Sequence, residues 1–124
     1  MNILGISCFF HDSAAVLIRD GELICAAEEE RFSRIKHDFN FPEKSINFCL
    51  EFGNIDSSQI DYVVFFEKPF LKFERILKTV ISTFPFSLKV FSQSMRNWAI
   101  EKLWIKSKIV KILDISPDKI LFSD

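Results

Sequence analysis

Both histidines of the chain, three consecutive glutamates and most of the early basic residues fall in "HDSAAVLIRDGELICAAEEERFSRIKHD", residues 11 to 38. Imidazole titrates near neutrality, so His11 is suited to accept a proton from a hydroxyl nucleophile. Asp12 and Ser13 follow it directly. Ser13 and the backbone amides around it could touch an anion; the plainer alternative is a histidine that only hydrogen-bonds its own turn. The block "EEERFSRIKHD" holds Glu28, Glu29 and Glu30, then Arg31, Arg34, Lys36, His37 and Asp38. Its cations could form an anion-receiving loop for phosphate or a nucleotide, or the block could be a solvated charge run. If strand alternation persists through it, Glu28 and Glu30 share one face and Glu29 takes the other. His11 and His37 alone define no metal site, since no third ligand is identifiable, and none is expected here.

The elements that must position these residues follow from periodicity. "NILGISCFF" is a short apolar, β-compatible run and predicts a buried first strand. Apolar runs near 14–19 and 22–28 flank Asp20-Gly21, a preferred centre for a tight antiparallel hairpin whose turn needs positive φ. Pro42 suits a first helical turn, apolar residues recur at Ile46, Cys49 and Leu50, and Gly53-Asn54 supplies a stop. A strand is expected near 61–66. Phe70, Phe73, Leu77, Val80, Ile81 and Phe84 then share one helical face, which Pro85 interrupts. A second helical segment covers roughly 87–113, with Phe91, Trp98, Ile105 and Ile109 among its apolar residues. Its Arg96, Lys102, Lys106, Lys108 and Lys111 fit a covering helix with a lysine-rich outer face better than a membrane or nucleic-acid surface. A last strand is expected near 119–123.

The order β-β-β-α-β-α-β is an α/β arrangement, the layout of ribonuclease H-like and actin-like ATPase domains. It places His11 at the mouth of the first strand turn. Metal nucleases of that layout need acids on the first strand, and "ILGISCFF" has none. Sugar kinases and actin-like ATPases receive phosphates on an Asp and a glycine-rich turn there, whereas "FFHDSAA" has no glycine. A final strand at the chain end leaves an open sheet edge, so the domain is expected to be incomplete at its C-terminus.

Composition narrows the classes further. The 124 residues, 48% hydrophobic, suit one domain with one core. A net charge of −1 gives no global field to recruit nucleic acid. The charge is split, however: 11 acidic and 5 basic residues through Asp61, then 6 acidic and 11 basic. Cys8, Cys25 and Cys49 are scattered in apolar surroundings and form no CxxC pair, so buried thiols in a reducing cytoplasm are expected. No signal peptide is evident, and the longest uncharged runs, about ten residues, are too short to cross a bilayer. Fifteen phenylalanines need either a tightly packed core or a surface outside this chain.

The stretch "GISCFFHDSAAVLIRDGELICAAEEERFSRIKHDFNFPEKSINFCL" resembles the opening of the O-carbamoyltransferases that tailor nodulation factors and antibiotics. The His-Asp-Ser-Ala turn, the Asp-Gly hairpin, the charged block and the Phe-Pro helix start occur in the family's order, over about residues 3 to 50. The resemblance implies that residues 1–124 are the N-terminal part of an actin-like carbamoyl-transfer domain, similar to that of the tRNA threonylcarbamoyl-transfer proteins. In the family a second, adenylate-forming domain, absent here, makes carbamoyl-adenylate from ATP and carbamoyl phosphate. The actin-like domain then passes the carbamoyl group to a hydroxyl-bearing small molecule. His11 matches the histidine at the transfer site, which implies acid/base or acceptor-positioning work. Asp12 and Ser13 accompany it in the matched turn, and Arg34, Lys36 and His37 match the family's basic block, so these five are the expected substrate contacts.

One departure sets the limits of that expectation. The family's counterpart of "KILFSD" leads into a histidine-rich segment carrying metal ligands, and this sequence stops at Asp124. ATP and a divalent metal are thus implied for the complete enzyme and not expected to be fully bound by this chain. Catalysis would need the missing domain or a partner chain. The competing expectations are a non-catalytic remnant or subunit that binds a partner chain, and an actin-like nucleotide module that has lost its phosphate turn.

Overall fold

The computed structural model describes residues 1–9, 12–66, 78, 81–82 and 104–123. Its frame is a mixed sheet of strands β1 (Asn2–Ser7), β2 (Ala14–Arg19), β3 (Glu22–Glu28), β4 (Tyr62–Phe66) and β5 (Ile120–Ser123). Their spatial order is β3-β2-β1-β4-β5, with β1-β2-β3 an antiparallel meander and β4 and β5 parallel to β1. The expected meander and the two later strands are observed; β1 ends at Ser7, three residues short of the apolar run that predicts it, and the other strand ends differ by at most a residue. Helices α1 (Glu30–Ser33) and α2 (Glu43–Gly53) follow the meander, and residues 104–113 are helical.

Register explains the core. Leu4 lies opposite Leu17 and Val63, Ile6 opposite Ala15 and Phe65, and Val63 opposite Ile120. Side chains alternate across a pleated strand, so these seven share one face. All seven are buried, in one cluster with Ile46 and Cys49 of α2 and with Ile105, Ile109 and Leu113 of the 104–113 helix. The last three recur every fourth residue, a single stripe on one helical face. Helix α2 lies close on β2: a Cβ on Gly53 would sit 2.3 Å from the Leu17 side chain. The Gly53 carbonyl also accepts a 2.6 Å hydrogen bond from the Arg19 guanidinium. At the β2–β3 turn Asp20 and Gly21 both have positive φ, 52° and 86°, as the hairpin requires.

Several expectations change. Alternation does not run through the glutamates: β3 stops at Glu28 and Glu30 opens α1. Cys8 and Cys49 are buried but Cys25 is partly exposed, and all three thiols are free. Phe39, Phe52 and Phe66 are exposed, and Phe52 still meets the Phe48 ring at 5.7 Å. The helical face expected from Phe70 to Phe84 lies outside the described residues apart from Ile81, which is helical and exposed. Phe91, Trp98, Arg96 and Lys102 of the second expected helical segment also lie outside them. Among the described residues no helix is long and apolar enough to cross a membrane.

Candidate functional site

Two segments meet beyond the C-terminal end of β1: the turn leaving it and the loop that follows α1. The loop is stitched to the turn through backbone groups. Phe9 N–H donates to the Phe39 carbonyl at 2.8 Å and Ser13 N–H to the Asp38 carbonyl at 2.7 Å. The Ser13 hydroxyl donates to the same Asp38 carbonyl at 2.9 Å, and Glu29 N–H donates to the Ser13 carbonyl at 2.8 Å. Such reversals need unusual backbone. Phe9, Arg34 and His37 all take positive φ, at 70°, 58° and 56°. Residues with a Cβ hold that conformation only where surrounding contacts impose it.

Side chains repeat the stitching. His37 Nδ1 lies 2.9 Å from Asp12 Oδ1, and His37 N–H donates to Glu30 Oε2 at 3.1 Å. Ligand atoms of Asp12, Glu30 and His37 all lie within 4.8 Å of one another. Asp12 and Glu30 thus supply around His37 the further donors that the sequence did not reveal. Two carboxylates and an imidazole suit a hard or borderline divalent cation, so the divalent metal implied for the complete enzyme is chemically compatible with this set.

The three glutamates have separate fates. Glu28 is exposed, with a loose 3.9 Å pairing to Arg31. Glu30 holds the His37 backbone. Glu29 is only 5% exposed. Its carboxylate accepts from Lys44 N–H at 3.2 Å, from Ser45 N–H at 2.8 Å and from the Ser45 hydroxyl at 2.8 Å. An anion on the unsatisfied amides of a helix N-terminus is favourable through both hydrogen bonding and the helix dipole. A solvated charge run therefore describes Glu28 and Arg31, not Glu29.

Of the expected site residues, Asp12 and His37 are brought together, and Ser13 is buried with its hydroxyl given to Asp38. Arg34 and Lys36 are exposed, and among the described residues neither side chain is ion-paired. They are the uncommitted cations of the loop. His11 lies outside the described residues. Asp38 is buried, and the Ser33 hydroxyl, then Asn40 N–H, hold its carboxyl below the usual carboxylate range. Beneath the turn, burial pushes the Cys8 thiol up to about 12, against a smaller opposing pull from Lys108.

The helix at 104–113 adds residues that sequence reasoning missed. Lys108 Nζ lies 5.7 Å from the Phe9 ring centroid, 5.2 Å from that of Phe41 and 5.2 Å from that of Trp104. The Phe9 and Trp104 rings are themselves 5.7 Å apart. Lys108 had been expected on an outer, solvated face. No local sequence signal marks it: Trp104 lies one turn earlier on the same helix, but Phe9 and Phe41 come from segments far away in the chain.

Comparison with known proteins covers almost the whole chain. A family described as Carbamoyltransferase N-terminus matches residues 2–121. An uncharacterized protein of Synechocystis, sll1178, is 46% identical over 112 residues, which is 90% of this chain and 18% of that protein. The nodulation protein NolNO of Sinorhizobium fredii is 50% identical over 58 residues, 47% of this chain and 8% of its own length. An uncharacterized Methanocaldococcus jannaschii protein, MJ1051, is 41% identical over 61 residues, 49% of this chain and 11% of its own. The chain therefore spans less than a fifth of each of these three relatives.

Proposed function

The chain belongs to the family of carbamoyltransferase N-termini, and from that membership we propose that it forms one wall of a carbamoyl-transfer site. The reaction is movement of a carbamoyl group from carbamoyl phosphate, by way of carbamoyl-adenylate, to the hydroxyl of a small molecule. The supporting observation is the family match over residues 2–121, which takes in both the turn after β1 and the loop zipped to it. The sheet order β3-β2-β1-β4-β5 is in keeping with a ribonuclease H-like, actin-like domain.

On this reading His11 removes the proton from the acceptor hydroxyl as its oxygen attacks the carbamoyl carbon, and the adenylate phosphate leaves with the bonding electrons. General base catalysis of this kind contributes about 10²–10⁴-fold. Arg34 and Lys36 hold the negative charge of the leaving phosphate, since their charges are uncommitted within the described chain. Asp12 orients His37. Ser13 acts through its two hydrogen bonds to the Asp38 carbonyl, holding the basic loop against the turn. A divalent cation, if taken up by Asp12, Glu30 and His37, would supply further charge stabilisation beside the phosphate. Adenylate formation is assigned to a separate domain.

The test uses a polypeptide carrying this segment together with an adenylate-forming domain. It is given ATP, carbon-labelled carbamoyl phosphate and a panel of hydroxyl-bearing acceptors. Labelled carbamate ester on an acceptor is the expected product. Steady formation of carbamoyl-adenylate with only hydrolysis across the panel would count against the assignment.

A further inference from the structure

The site described above consists of two loops, and each ends in an aromatic ring. Phe9 stands at the exit of β1, two residues before His11 in sequence, and Phe41 closes the loop that carries Arg34, Lys36 and His37. The backbone hydrogen bonds that join the two loops involve residues with positive φ or in irregular loops, a conformation that needs outside support. The ammonium of Lys108 lies within cation–π range of both rings, with Trp104 of its own helix as the third wall. Lys108 has no carboxylate partner among the described residues and is half-buried. A half-buried ammonium without an ion-pair partner gains most from ring faces, which attract it electrostatically where water is partly excluded. The helix bearing it is fixed in turn by Ile105 and Ile109, buried in the core on either side.

We infer that Lys108 is a positioning residue for the transfer site: its ammonium, cradled by Phe9, Phe41 and Trp104, clamps the β1 exit turn and the basic loop to the 104–113 helix. The inference rests on the function proposed above for its catalytic meaning, while the clamp itself stands on the described contacts. Methionine at 108 keeps the length of the stem and its packing but removes the charge. Arginine keeps a cation over the rings.

The test compares Lys108→Met and Lys108→Arg with the unmodified sequence in a polypeptide that carries this segment together with an adenylate-forming domain. Hydrogen exchange read by mass spectrometry follows the amides of Phe9 and Ser13, and carbamoyl transfer is measured separately from adenylate formation. Lys108→Met should speed exchange of those amides on the order of tenfold, and lower kcat for transfer similarly, with adenylate formation unchanged. Lys108→Arg should restore both. Trp104→Leu, which removes an exposed ring, should loosen the same amides and serves if Lys108→Met folds poorly. Unchanged exchange in both Lys108→Met and Trp104→Leu would overturn the clamp, as would an arginine variant no better than methionine. If the unmodified protein transfers no carbamoyl group, the proposed function fails, and the exchange comparison still decides the clamp.

Discussion

Ser13 gives both its hydroxyl and its backbone N–H to one acceptor, the carbonyl of Asp38, at 2.9 and 2.7 Å. A residue of the turn after β1 is thereby fastened to the middle of the basic loop, 25 positions later. Each bond satisfies a buried donor, and the pair sets how far the loop cations stand from the turn.

Ser13→Ala leaves the backbone bond and removes the hydroxyl. The net loss expected for one buried neutral hydrogen bond is about 1 kcal/mol. Urea unfolding should show that loss, and amides of residues 37–41 should exchange faster. Unaltered exchange there would mean that the hydroxyl contributes nothing to holding the loop.

Neighbouring glutamates should differ sharply. Glu29→Ala strips the N-terminus of α2 of an acceptor for three donors, one of them the Ser45 hydroxyl. Leaving such buried donors unsatisfied should cost about 2–3 kcal/mol. Glu28→Ala removes only an exposed pairing at 3.9 Å and should stay within about 0.5 kcal/mol of the parent. Thermal or denaturant unfolding of the two variants side by side measures the contrast.

The thiols carry a pH dependence of definite sign. Burial raises both Cys8 and Cys49 from 9.0 to about 12, with the neighbouring Cys25 thiol adding to the effect on Cys49. An unfolded thiol ionises near its ordinary value while the folded one stays protonated. Stability from these groups is thus complete below about pH 9 and is lost as pH rises from there toward 12. Denaturant midpoints should fall over that range, and Cys8→Ala should flatten the fall. At pH 8, iodoacetamide should label the partly exposed Cys25 before either buried thiol.

What was legible in the sequence was local. The hairpin at Asp20-Gly21 could be read because two adjacent residues must take positive φ there, and few pairs do so readily. The strands were legible because apolar runs alternate or cluster over five to seven residues and end at polar ones. The helix from Pro42 announced its start and its stop. Glu29 was not legible, because its burial depends on where α2 begins in space, and in sequence it looks like its neighbours. The Asp12–His37 pair and the Lys108 cradle were hidden for the same reason: their partners lie 25 to about 100 residues apart and meet only once the sheet is formed. The family's turn and basic block could be recognised as separate signatures, but nothing in their order said that they are stitched together.

The most direct test of the account replaces His11 by Asn in a polypeptide that carries this segment with an adenylate-forming domain. Carbamoyl-adenylate formation, followed by ATP consumption dependent on carbamoyl phosphate, is measured beside carbamoyl ester formed on the acceptor. The account predicts that ester formation falls by about 10²-fold or more while adenylate formation persists near the parent rate. Equal loss of both steps, or ester formation at the parent rate, would contradict the placing of carbamoyl transfer at this turn.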